Sequence, residues 1–74
     1  MEWRVVADGP AATTFESTLG TLRLCTTASR VGDREYWSWV VIDQQGYYLA
    51  EGHATGAEDA AYLSTRAALS LSWT

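Results

Sequence analysis

Hydrophobic spacing divides this chain into two unequal parts. From Glu2 to Ala54 the apolar residues alternate in short extended runs; beyond Thr55 small and apolar residues recur at helical intervals, at Ala57, Ala60, Ala61, Leu63, Ser64, Ala67, Ala68 and Leu71. With 74 residues, a chain buries only about 60% of the surface its unfolded form exposes, so one sheet covered by one helix is about all it supports. The expectation is an α+β domain spanning residues 1–74: a four-stranded antiparallel meander with one C-terminal helix packed on one face.

The first strand is placed at 2–8, EWRVVAD, and ends at the turn signal Asp8-Gly9-Pro10. Residues 11–18 are rich in Thr and read as a loop or irregular edge, with Phe15 folded back onto the core. The second strand spans 19–27, where Leu22, Leu24 and Thr26 alternate with Arg23 and Cys25. A turn containing Gly32 leads into the longest strand, 34–43, and the fourth follows at 46–54. Between them Asp43-Gln44-Gln45-Gly46 has Asp at the first turn position and Gly where a left-handed residue closes a type I turn with a bulge. An unbroken ladder from that turn pairs Asp43 with Tyr47, Val41 with Leu49, Trp39 with Glu51 and Trp37 with His53.

The helix is expected over 56–70, opened by a capping box with Thr55 at the N-cap, Glu58 three residues later, and Asp59 adding negative charge. Its Ala-rich stripe lets it lie close to a sheet. Burying an unpaired carboxylate costs several kcal/mol, so the helix is placed over the charge-free face of Ser38, Val40, Ile42, Tyr48, Ala50 and Gly52. Trp37 and Trp39 then point outward with Leu49, Glu51 and His53, and strand parity adds Arg23. Three uses compete for that face: ordinary core after all, a homodimer interface, or the contact surface for a different protein.

Charge narrows the partner. Nine acidic residues oppose five arginines, there is no lysine, and the net charge is −4. Such a surface repels phosphate backbones, so direct nucleic-acid binding is not expected. A basic protein partner that itself handles nucleic acid suits it better, with Asp33, Glu35, Asp43, Glu58 and Asp59 as acidic contacts. No apolar run approaches the ~18 residues of a membrane span. The start, MEWRVVADG, lacks signal-peptide order, and Cys25 is alone, so a cytoplasmic protein is expected. His53 is the only histidine, no carboxylates are spaced for acid and base roles, and no phosphate loop or metal-ligand cluster is present. A non-enzyme without cofactor or metal is the expectation.

Residues 36–71, a strand pair containing WSWVVIDQQGYYLAEGHATGAEDA and then an Ala-rich helix, resemble the strand, strand, helix unit of HicB-like antitoxins and, more distantly, of double-stranded RNA-binding domains. Glu58 and Asp59 stand where RNA-binding domains carry lysines. In type the whole chain is similar to the small acidic proteins of phages and mobile elements, anti-CRISPR proteins among them. That resemblance implies a non-catalytic inhibitor that blocks a nuclease or surveillance complex by occlusion or acidic mimicry, in the host cytoplasm if phage-encoded. The alternative is a HicB-like antitoxin or a small dimeric regulatory module.

Overall fold

The Thr-rich segment expected to be a loop is a strand. In the computed structural model, which describes residues 2–72, the elements are β1 (Arg4–Asp8), β2 (Ala12–Leu19), β3 (Leu22–Val31), β4 (Arg34–Ile42), β5 (Tyr48–Ala54) and α1 (Ala57–Ser72). They form one antiparallel sheet in the order β1-β2-β3-β4-β5. The class is the expected α+β with a C-terminal helix, but the sheet has five strands rather than four. β2 lacks a hydrophobic rhythm because both of its faces are rich in Thr and Ser. β-branched Thr13, Thr14 and Thr18 nonetheless suit a pleated backbone. The strand expected at 19–27 starts later, at Leu22, because Gly20 and Thr21 form a two-residue turn between Leu19 and Leu22. Gly20 takes φ 61° there, and Gly32 takes φ 64° at the same position of the β3–β4 turn. A left-handed first turn residue matches the twist of hairpin strands.

Arg30, near the end of β3, holds the β1–β2 connection. Its Nη2 donates to the Gly9 carbonyl at 2.6 Å and to Thr13 Oγ1 at 3.0 Å, and its Nε donates to the Pro10 carbonyl at 3.3 Å. A flat guanidinium with several fixed donors can satisfy two loop carbonyls and the Thr13 hydroxyl of β2 at once.

The β4–β5 turn forms as read. Asp43 Oδ1 accepts the amides of Gln45 and Tyr47, each at 2.9 Å, and the Asp43 amide bonds the Tyr47 carbonyl at 3.0 Å. Beyond it the ladder does not run unbroken. Ile42 pairs with Tyr48, but Val41 pairs with Ala50, so Leu49 is an extra residue in β5. Trp39 therefore faces Gly52 and Trp37 faces Ala54, not Glu51 and His53. One inserted residue exchanges the faces of everything beyond it. β1 carries a similar irregularity: Val5 pairs with Phe15 and Ala7 with Thr14, leaving Val6 over. Both edge strands are thus bulged.

The bulge corrects the assignment of faces. α1 covers the side bearing Leu22, Leu24, Thr26 and Ala28 of β3, Trp37, Trp39 and Val41 of β4, and Ala50, Gly52 and Ala54 of β5. Ser38, Val40 and Ile42, expected beneath the helix, face the other way. The core is Leu22, Leu24, Val41 and Ala68, with Trp3, Leu19, Trp39, Ala50, Ala67 and Leu71 packed around it. Along α1, Ala60, Ser64 and Ala68 are fully buried at one-turn intervals, and Ser64 Oγ returns its hydrogen bond to the Ala60 carbonyl at 2.8 Å. These small residues let the helix settle onto the sheet.

The helix cap also differs from expectation. Gly56, not Thr55, supplies the first helical carbonyl, to the Ala60 amide at 3.0 Å. Asp59, not Glu58, reaches back, accepting Thr55 N–H at 3.0 Å and Thr55 Oγ1–H at 3.2 Å. The start is displaced by one residue, so the carboxylate one position further on meets the exposed amide. α1 lies over β3, β4 and β5, reaches only the margin of β2, and leaves β1 uncovered.

Candidate functional site

With the helix on one side, the opposite side of the sheet has no cover among the described residues, and strand register places its side chains in rows. One row crosses all five strands: Arg4, Glu16, Cys25, Val40 and Glu51. The next comprises Ala7, Thr14, Thr27, Ser38 and His53, and a third joins Arg23, Ile42 and Tyr48. Between them lies a groove of about 490 Å³ lined by Cys25, Thr27, Ser38, Val40, Tyr48 and His53, with Glu51 also on its wall. Tyr36 and Tyr48 stand well out of the sheet, 52% and 67% exposed.

The charges of this open face are partly spent internally. Glu16 lies 3.2 Å from Arg4 Nη2 and 3.8 Å from Arg23 Nη1, and its own side chain is largely covered. Cys25 is its cross-strand neighbour. Burial pushes the Cys25 thiol above its ordinary pKa, the Glu16 carboxylate adds to the rise, and Arg23 opposes it. The thiol is therefore a poor nucleophile near neutral pH. Among the described residues, no three His, Cys, Asp or Glu side chains converge as metal ligands would.

The residues singled out from sequence fall into three groups. Arg23, Glu51 and His53 share the open face. Leu49 sits in the bulge at the β5 edge, 41% exposed. Trp37 and Trp39 lie on the helix-covered side, both half-buried, and do not join the charged residues. Trp39 is seated on Gly52 and packs against the core, with its indole Nε1 buried and without a hydrogen-bond partner. It is held by packing.

Trp37 has a different setting. It stacks on Phe15 with ring centroids 6.0 Å apart and planes 17° from parallel, above the smaller Thr26 and Ala28 of the intervening strand. Its Nε1–H donates to Glu35 Oε1 at 2.9 Å. At the first turn of the helix, Trp3, Phe15, Thr26 and Trp37 meet Ala57 and Glu58 around an apolar cleft of about 210 Å³.

The acidic residues divide likewise. Asp43 is engaged in its turn and Asp59 in the helix cap. Asp33 occupies the β3–β4 turn, Glu35 binds the Trp37 indole, and Glu58 is exposed at the cleft.

Sequence reasoning missed Tyr36 and Tyr48 as surface residues because it assigned their parity to the helix side. It also missed Trp3 and Phe15 as partners of Trp37. The usable signal was the count of bulky aromatics, which exceeds what one short Ala-rich helix can cover.

No family model matches the chain, and no curated protein or solved structure matches it. No described helix is long and apolar enough to cross a membrane.

Proposed function

We propose that this chain is a non-catalytic protein-binding inhibitor whose contact surface is the open face of the sheet. The carrying observation is the make-up of that face: exposed Tyr36 and Tyr48 beside a groove walled by Ser, Thr and Val, with Arg23, Glu51 and His53 around it. Rigid amphipathic tyrosines with small hydroxyl side chains supply contact area at low entropic cost, the composition of adaptable protein-recognition surfaces. The net charge of −4 favours a basic partner and supports the resemblance to small acidic inhibitors of anti-CRISPR type, which act by occupying a nuclease or surveillance complex.

A second reading, a small dimeric regulatory module of HicB-like type, gains from the bulges at Val6 and Leu49. Bulged edges resist strand-to-strand pairing, so a second copy would meet this same open face.

Both readings are tested with the double variant Tyr36→Ala, Tyr48→Ala, whose side chains are exposed and whose fold is expected to persist. Light scattering gives the mass of each form, and a pull-down from extract of the cell that makes the protein compares what each retains. A monomer whose captured basic partner is lost in the variant supports the inhibitor; a dimer that the variant dissociates supports the module. Identical mass and capture in both forms would remove the open face from consideration.

A further inference from the structure

We infer that the aromatic cleft at the start of α1 is a second binding site, on the opposite side of the sheet from the open face, and that it takes an arginine side chain presented by a protein partner. The cleft is lined by Trp3, Phe15 and Trp37, floored by Thr26, and closed on the helix side by Ala57 and Glu58. Three aromatic rings around about 210 Å³, with one carboxylate at the rim, suit a flat cation that stacks on ring faces.

The charges set the sign of the ligand. Among the described residues, Glu58 is the only one with an ionisable side chain that lines the cleft, and it belongs to neither of the described ion pairs, both of which use Glu16. A second carboxylate, Glu35, is held against the cleft wall by the Trp37 indole. The positive end of the helix would by itself favour an anion, but Asp59 already answers it through the Thr55 amide and hydroxyl. Glu58 is left outside the cap, exposed at the rim of a cleft whose own lining is aromatic and apolar. An anion entering there would be repelled by both carboxylates, whereas a flat cation can stack on the rings and pair with Glu58 at the rim.

Ring geometry favours guanidinium over ammonium. A planar, weakly hydrated guanidinium stacks on indole faces and pairs with a carboxylate through parallel N–H donors, whereas a compact ammonium keeps its water more tightly. The aromatic pair is also spare in the fold. Phe15 and Trp37 stand outside the main core cluster, half-buried beside the first turn of the helix.

The test uses the full chain, labelled with ¹⁵N, and a blocked pentapeptide of glycines with one central arginine. The indole N–H signals of Trp3 and Trp37 are expected to shift and saturate, with signals of the open face, such as Tyr48 and His53 amides, unmoved. The same peptide with citrulline in place of arginine is expected to shift nothing, and the lysine peptide to bind at least fivefold more weakly. Glu58→Gln, which alters an exposed residue outside the cap, is expected to keep the spectrum of the folded chain and weaken arginine binding at least fivefold. Phe15→Leu is expected to weaken it as well, and its spectrum reports separately whether the fold is retained. Equal shifts with citrulline, unchanged affinity in Glu58→Gln, or shifts confined to the open face would each overturn the assignment. None of these outcomes depends on whether the open face binds a protein.

Discussion

Trp39 and Gly52 stand opposite one another across β4 and β5, and the indole lies so close over the glycine that a β-carbon there would meet Cζ2 at 2.8 Å and Nε1 at 2.9 Å. Those separations are below van der Waals contact, and one side of the clash is a ring already packed on the core. Gly52→Ala is therefore expected to lower stability by about 1–3 kcal/mol, the usual cost of overpacking. Urea unfolding followed by tryptophan fluorescence measures it. Combining it with Trp39→Leu should cost less than the two single changes added together, because the smaller side chain removes the clash. Additive losses would show that Gly52 is needed for another reason.

The guanidinium of Arg30 makes its described hydrogen bonds to Gly9 and Pro10 of the β1–β2 connection and to Thr13 near the start of β2. Arg30→Lys keeps the charge but loses the fork, and is expected to cost about 1–2 kcal/mol. Hydrogen exchange should localise the loss. Amides of β1 and β2 are expected to exchange faster while those of β4 and β5 keep their protection.

The Cys25 thiol makes a pH prediction whose sign follows from its raised pKa. The folded chain holds that proton more tightly than the unfolded chain. Its contribution to stability is complete below the ordinary thiol value of 9.0 and is lost as pH rises through the raised folded value. Stability should fall above pH 9.0 in the native chain and less steeply in Cys25→Ser. Glu16→Gln removes a charge that raises the thiol pKa and leaves Arg23, which lowers it, so alkylation of Cys25 by iodoacetamide at pH 8 should be faster. A slower reaction in that variant would contradict the assigned cause.

Deleting Leu49 is expected to leave the fold intact. Tyr48 and Ala50 would then follow each other opposite Ile42 and Val41 as a regular ladder, with every side chain keeping its present face. What changes is the edge, which becomes straight and available for pairing with another copy. Sedimentation velocity should show concentration-dependent association in the deletion variant that the parent chain lacks. A deletion variant that stays as disperse as its parent would show that the bulge does not guard the edge.

How far the fold was legible follows from how local each signal is. The Asp43 turn was read correctly because its hydrogen bonds join residues no more than four apart. The inward positions of Leu22 and Leu24, and of Ala50 and Gly52, were also correct, since charge and hydrophobicity within one strand decide them. β4 was inverted because Leu49 carries no local mark of a bulge. The extra residue reconciles two demands that an unbroken ladder sets against each other: the charge-free side of β5 and the tryptophans of β4 both go under the helix. β2 was missed because Thr on both faces hides alternation, though it is the residue type that suits a strand. For the candidate site, sequence reasoning found the charged residues Arg23, Glu51 and His53 but joined them to the wrong aromatics. Only the fold puts tyrosines beside them and gathers Trp3, Phe15 and Trp37 on the far side.

The reach of α1 has one further effect. The helix ties β3, β4 and β5 together, while the hairpin of β1 and β2 is held mainly by its ladder to β3 and by Arg30, with Trp3 and Leu19 reaching the core margin. Trp3 and Phe15 ride on that more weakly secured hairpin; Trp37 and Glu58 ride on the part the helix holds. The cleft is thus a seam between a durable unit and one that opens more readily, and whatever fills it staples the two and slows the local unfolding of the hairpin.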